Sequence, residues 1–331
     1  MWRGAFLTVS CLLAMVSVHA QSDMREVKDF GPDPGNLRMF VHAPRQALDG
    51  NGKRPLIVVL HGCTQKARRI ARLSGWNELA DRLDCYILYA QQRPINNSLR
   101  CFDWFREDDI RPGEGETGSI TNMVRYALAE LPVDPDSVFL YGVSSGGALC
   151  SALMACEPDL FKGVAIFAGG PYRAADNTLN ARMVIRDPKE LTPSQWGDLV
   201  RAVHPGRTAP YPHLIVMHGT EDGVVNIGHG MALVAQWTNV AGADTVPETV
   251  DRAFQGLSAV RRTRYDDPDG HTAVIFYRIE GLGHQLPVHP GDGPQDGGRT
   301  SWVSRDVGFH STYVVAQEFG LLPGTVRRAV R

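Results

Sequence analysis

Apolar residues in this chain fall into short unbroken runs separated by longer stretches with a helical period. Residues 56–60 (LIVVL), 86–90 (YILYA), 138–141 (VFLY), 164–168 (VAIFA) and 214–217 (LIVM) are such runs. Four or five consecutive apolar residues, many of them β-branched, predict strands buried on both faces, as in a parallel sheet. Between them, Ile120, Met123, Val124, Ala127, Leu128 and Leu131 recur at the spacing of one helical face, and Pro132 ends that pattern. Residues 67–83 and 309–319 also read as helices, and 148–155 as the start of one. Residues 272–279 alternate as a strand, hairpinned to 260–265 across the turn at 266–270, while 37–43 reads as an early strand and 47–54, with two Asx-Gly pairs, as a turn-rich link. Strands alternating with helices predict an α/β fold with a mostly parallel central sheet flanked by helices. Residues 173–212 are polar with two short helical stretches, too short for a large cap domain.

The first twenty residues stand outside this pattern. Arg3 precedes an apolar run ending in Val18-His19-Ala20, which predicts a secretory signal cleaved near Ala20 and leaves 21–331 as one catalytic domain. No later apolar run is long enough for a membrane span. The net charge of −2 implies no nucleic-acid surface. The cysteines beyond the signal are Cys63, Cys85, Cys101, Cys150 and Cys156, and export permits disulfides among them. No Cys-x-x-Cys or His-Glu-x-x-His spacing occurs, so neither a metal nor another cofactor is expected.

Candidate chemistry sits where the strand at 138–141 ends. Gly142-Val143-Ser144-Ser145-Gly146 follows it and a helix pattern resumes at once, the context of a nucleophile elbow. The turn lifts the Ser144 hydroxyl clear of the sheet and aims the Ser145 N–H, at a helix start, toward an oxyanion. The strand at 56–60 ends in His61-Gly62-Cys63-Thr64-Gln65, where a second oxyanion donor is expected from the backbone of Cys63 or Thr64. His61 itself reads as a core histidine or as a contact to the chemistry. Two further strand ends carry Glu221-Asp222 and, beyond Glu280-Gly281-Leu282-Gly283, His284. Ser144, Asp222 and His284 follow in the order of an α/β-hydrolase triad: nucleophile, imidazole-orienting acid and general base. Glu221 is the rival for the acid, whereas no apolar strand ends just before Asp251, Asp266 or Asp267. Residues 96–105 (NNSLRCFDWF) have neither period and read as a loop. Its Trp104 and Phe105, with Tyr172 on the loop beside the elbow, are assigned to substrate contact, the alternative being that they cover the core.

Several motifs together resemble the secreted polyhydroxybutyrate depolymerase-type esterases, a family that takes in feruloyl esterase-like and acetyl xylan esterase-like members. They are LHGCTQ at 60–65, SGWNELAD at 74–81, CFDWF at 101–105, GEGETGSI at 113–120, GVSSGG at 142–147, AGGPY at 168–172, HGTEDGVV at 218–225 and EGLGH at 280–284. The resemblance runs from about residue 37 onward and implies an α/β-hydrolase fold and serine esterase activity on a polyester oligomer or an esterified polysaccharide. It places the nucleophile at Ser144, the acid at Asp222, the base at His284 and the oxyanion turn at His61-Gly62-Cys63. It also implies a Cys63–Cys101 disulfide. Phe102 and Asp103 stand where the family commonly has Trp and Asn, which implies an altered subsite. The chain also shows no linker and polymer-binding domain after its last helix, so soluble oligomers are expected in preference to crystalline polymer.

Overall fold

The computed structural model describes residues 24–45 and 52–322; the signal predicted over 1–20 and most of the link at 47–54 lie outside them. Ten strands form one sheet: β1 (Arg25–Val27), β2 (Arg38–His42), β3 (Arg54–Leu60), β4 (Tyr86–Gln91), β5 (Val133–Val143), β6 (Gly163–Phe167), β7 (His213–Gly219), β8 (Thr249–Asp251), β9 (Val260–Asp266) and β10 (Thr272–Ile279). Their spatial order is β1-β2-β4-β3-β5-β6-β7-β10-β9-β8. The six from β4 to β10 are parallel, and antiparallel pairs close both edges. A small parallel pair, β11 (Leu286–Val288) and β12 (Ser304–Asp306), follows.

Period-two alternation in β3 explains its unbroken apolar run. Leu56, Val58 and Leu60 join the core on one face, while Ile57 and Val59 join the core on the other. The first face is covered by α3 (Gly115–Glu130), α4 (Ser145–Cys156), α6 (Pro193–Arg201) and α7 (Gly228–Ala241), with α5 (Thr178–Val184) beside them. The second is covered by α1 (Ala67–Ser74), α2 (Trp76–Leu83) and α8 (Ser311–Glu318). Only α5 and α6 interrupt the chain between β6 and β7, so no large cap is present there.

The structure differs from the sequence reading at three points. The helix expected over 67–83 is broken at Gly75, whose φ of 73° lies in the left-handed region and whose Cβ position would fall 2.7 Å from the Gly298 N. Helix α3 starts a turn earlier than its apolar stripe, because Glu116, Thr117 and Gly118 are themselves buried. The short strands β1, β8, β11 and β12 carry too few residues to display any period.

His310 ties the two ends of this second layer together. It precedes α8, is buried, and its Nε2 donates to the Ser74 carbonyl at the end of α1, 2.6 Å away. Burial is the main reason its pKa falls from 6.5 to about 4. Above pH 6.5 the ring is neutral in both states. Between 6.5 and 4 only the unfolded chain takes the proton, so stability is lost as pH falls through that window. The thermal midpoint should therefore drop on acidification from pH 7 to 4. A His310→Gln variant, which keeps a donor but cannot charge, should show a flatter profile; a parallel profile would exclude His310 as the cause.

Candidate active site

Strand β5 delivers Ser144 into a turn with φ 57° and ψ −121°, a conformation L-residues avoid unless the surroundings impose it. Two bonds hold it: the Ser144 N–H donates to Phe167 O at 2.8 Å, and its carbonyl accepts from the Ala148 N–H at 2.9 Å. The flanking glycines are required by close approach. A Cβ at Gly146 would meet the His61 and Leu60 carbonyls at 2.5 and 2.6 Å, and one at Gly142 would overlap Cys150 Sγ.

The loops after β7 and β10 bring two more side chains to this point. His284 Nε2 lies 2.9 Å from Ser144 Oγ and its Nδ1 lies 2.7 Å from Asp222 Oδ2. Asp222 Oδ1 accepts from the Val224 and Val225 N–H groups at 2.9 and 2.8 Å, so both carboxylate oxygens are engaged. Burial pushes the Asp222 carboxyl up, but bonds from His218 and His284, the imidazole charge and the Val225 N–H outweigh it and hold the pKa far below the ordinary value. His218, four residues before Asp222, approaches Oδ2 at 3.4 Å and bonds Val225 O at 2.9 Å. Sequence reasoning missed this support. Its only sequence signal is the position of the histidine at the end of β7. Glu221 lies exposed, with no such arrangement around it.

The turn after β3 completes the cleft. The Thr64 N–H is spent on Leu99 O at 2.6 Å, which takes it out of consideration as an oxyanion donor. A Cβ at Gly62 would sit 3.3 Å from Ser144 Cβ, so the turn lies directly against the nucleophile. His61 is fully buried. Its Nδ1 donates to Gly62 O at 2.8 Å and its Nε2 accepts from the Gln92 N–H at 3.1 Å, which fixes the tautomer. Burial lowers its pKa to about 4, so it stays neutral and braces the turn. Cys63 is bonded to Cys101, 38 residues on, with Cα atoms 4.2 Å apart, while Cys85, Cys150 and Cys156 are free and buried.

The loop at 96–105 corrects the assignment of Trp104, Phe105 and Tyr172 to an open substrate surface. Trp104 and Phe105 are only 8% exposed and Tyr172 only 2%; all three belong to the core on the α3–α4 face of the sheet. The polar residues around them turn them inward. Asp103 N–H donates to Glu116 Oε2 at 2.8 Å, Gln92 Nε2 donates to the other Glu116 oxygen, and Phe102 N–H donates to Ser145 Oγ at 3.3 Å. Burial, then the nearby Asp109 and Asp103 charges, raise the Glu116 pKa well above the ordinary value. Tyr172 points its hydroxyl at Ile110 O, 3.4 Å away.

A mostly parallel sheet with a strained serine between strand and helix, bonded to a histidine from a later strand end, defines the α/β-hydrolase class of ester hydrolases. The acetyl xylan esterase from Aspergillus awamori shares this fold at a TM-score of 0.72 and 22% identity, over 79% of this chain and 94% of that one. Within that class the chain belongs to the esterase PHB depolymerase family, whose profile matches residues 40–253. It is 35% identical to poly(3-hydroxyalkanoate) depolymerase C of Paucimonas lemoignei, over 97% of this chain and 75% of that protein. To an acetylxylan esterase of Coprinopsis cinerea it is 31% identical, over 80% of this chain and 69% of that protein.

Two outcomes follow for the loop. Replacing Cys63 and Cys101 together by serine frees a 38-residue loop in the unfolded chain and should cost about 4 kcal/mol in the chain-entropy account, read by urea unfolding. A Cys63 peptide with a free thiol in an unreduced digest would overturn the bond. Trp104→Ala should lower stability by about 3–5 kcal/mol, the range for a large core aromatic. Unchanged stability would return Trp104 to the substrate surface.

Proposed function

We propose that the protein is a secreted serine esterase that hydrolyses short hydroxyalkanoate esters through an acyl-enzyme. The observation that carries the reading is the relay Ser144 Oγ–His284 Nε2 at 2.9 Å and His284 Nδ1–Asp222 Oδ2 at 2.7 Å. His284 Nε2 takes the Ser144 proton as Oγ attacks the ester carbonyl, and the new oxyanion accepts the Cys63 and Ser145 N–H groups. Collapse expels the alcohol, which leaves with the proton from Nε2. Water, deprotonated by the same nitrogen, then attacks the acyl-enzyme, and collapse frees the acid and returns the proton to Ser144. Asp222 stays anionic, holds the Nδ1–H tautomer and stabilises the imidazolium between transfers. The polyester substrate is supported by the 35% identity to the Paucimonas lemoignei depolymerase. The second reading, acetyl or feruloyl groups on plant polysaccharide, is favoured by the 31% identity to the Coprinopsis cinerea acetylxylan esterase.

A hydrolysis panel of hydroxybutyrate oligomers, methyl ferulate and acetylated xylan separates the readings. The oligomers should be cleaved with the highest kcat/KM, and a clear preference for either of the others would move the protein to the second reading. Ser144→Ala and His284→Ala should each remove most turnover and the double variant little more, because the two act as a unit. Asp222→Asn should cost on the order of 10⁴ in kcat by presenting the wrong tautomer. Glu221→Gln should leave turnover nearly unchanged. The reverse pattern for the last two would displace Asp222 from its role.

A further inference from the structure

We propose that Gln65 is a specificity-determining residue, whose side-chain amide donates a hydrogen bond to the oxygen on the third carbon of a hydroxyacyl group while Ser144 attacks the carbonyl of that group. The proposal rests on the hydroxyalkanoate reading above. Gln65 closes the turn after β3, and only 6% of it is exposed. Neither end of its carboxamide is used by the fold. Oε1 is buried without a hydrogen-bond partner, and Nε2 enters no hydrogen bond among the described residues. Leaving a buried amide unpaired costs stability, and a methionine would fill a similar space at no such cost. The fold alone therefore gives no reason for a glutamine here, whereas a ligand that accepts from Nε2 does.

The position of that nitrogen points to the acyl group. A Cβ built on Gly62 would lie 3.3 Å from Ser144 Cβ and 3.6 Å from Gln65 Nε2, so the nucleophile and the amide border one methyl-sized space. The turn that carries Gln65 is held at three points. Its own N–H donates to Gly62 O at 3.2 Å, the Thr64 N–H donates to Leu99 O at 2.6 Å, and Cys63 is tied to Cys101. An acyl group bonded to Ser144 Oγ begins beside the same space. In a 3-hydroxyacyl group the oxygen on the third carbon stands three bonds from the carbonyl carbon, as a hydroxyl at the chain end and as an ester oxygen within the chain. Either can accept from an amide N–H. An acetyl group has no third carbon, and that of a feruloyl group bears no oxygen. A site built to bond one substrate oxygen rejects the analogue lacking it more sharply than an apolar pocket does, because the site's own polar group is then left unpaired.

Steady-state hydrolysis of methyl 3-hydroxybutyrate and methyl butyrate, which differ by one hydroxyl, tests this. The wild type should favour the hydroxy ester by about tenfold in kcat/KM, the scale of one neutral hydrogen bond. In Gln65→Met that ratio should fall close to one. Gln65→Ala, which makes no packing demand, should lower it in the same way and serves where the methionine variant does not fold. A ratio kept in these variants, whatever the fall in the two rates, would assign Gln65 to the support of the turn and overturn the proposal. Equal kcat/KM for the two esters in a wild type that cleaves a hydroxybutyrate trimer would overturn this proposal alone. A wild type that leaves the trimer intact and cleaves methyl ferulate or acetylated xylan would overturn the hydroxyalkanoate reading, and this proposal with it.

Discussion

The close approach of strand end β3 to helix start α4, permitted by the missing side chain of Gly146, sets the rest of the site. The Leu60 and His61 carbonyls occupy the space a Cβ would need, so the turn that follows them cannot drift from the nucleophile. One contact therefore fixes three things: the strained backbone of Ser144, the Ser145 N–H one residue on, and the Cys63 N–H on the facing turn. Strain of this kind is worth on the order of 1–3 kcal/mol and persists only where the surroundings over-determine it. Here Phe167 O and the first turn of α4 supply the restraint. Backbone donors held by such restraints would need no reorganisation during a reaction.

A layer of buried polar groups then secures the outer wall. His61 spends one ring nitrogen on Gly62 O and the other on Gln92 N–H. The Gln92 side chain reaches Glu116, and Glu116 accepts the Asp103 N–H. Such a chain is favourable only where each member finds a partner, because an unpartnered buried polar atom costs about 1–3 kcal/mol. The disulfide closes the same loop covalently. Together these restraints explain why the aromatics at 102–105 face inward: a loop pinned at Cys101, Phe102 N–H and Asp103 N–H has no freedom to present its rings to solvent.

The sheet and the three strand-end residues were legible in the sequence because each rests on a local rule. Buried parallel strands need unbroken apolar runs, and the elbow needs glycines at 142 and 146. The candidate acid and base sit just past strand ends. The break at Gly75 was not legible, since its cause is the Gly298 backbone more than two hundred residues away. The burial of Trp104 was hidden for a like reason. An aromatic in an aperiodic segment looks exposed, and only the distant Glu116 carboxylate and Ser145 hydroxyl decide its direction. What removes Thr64 as a candidate donor is one bond to Leu99 O, which no local pattern records.

Substrate choice has to come from outside this machinery. As a candidate triad, the hydrogen-bonded serine, histidine and aspartate would serve any ester whose carbonyl reaches the oxyanion donors, and they contain nothing that tells an acetyl group from a hydroxyacyl unit. Discrimination between such small neutral groups in an apolar pocket is worth only about 1–3 kcal/mol. Trp104, Phe105 and Tyr172 are drawn into the core, whereas Trp302 stands exposed with the Arg69 guanidinium over its ring. A tryptophan face beside a guanidinium can accept an apolar chain and a negative charge in succession.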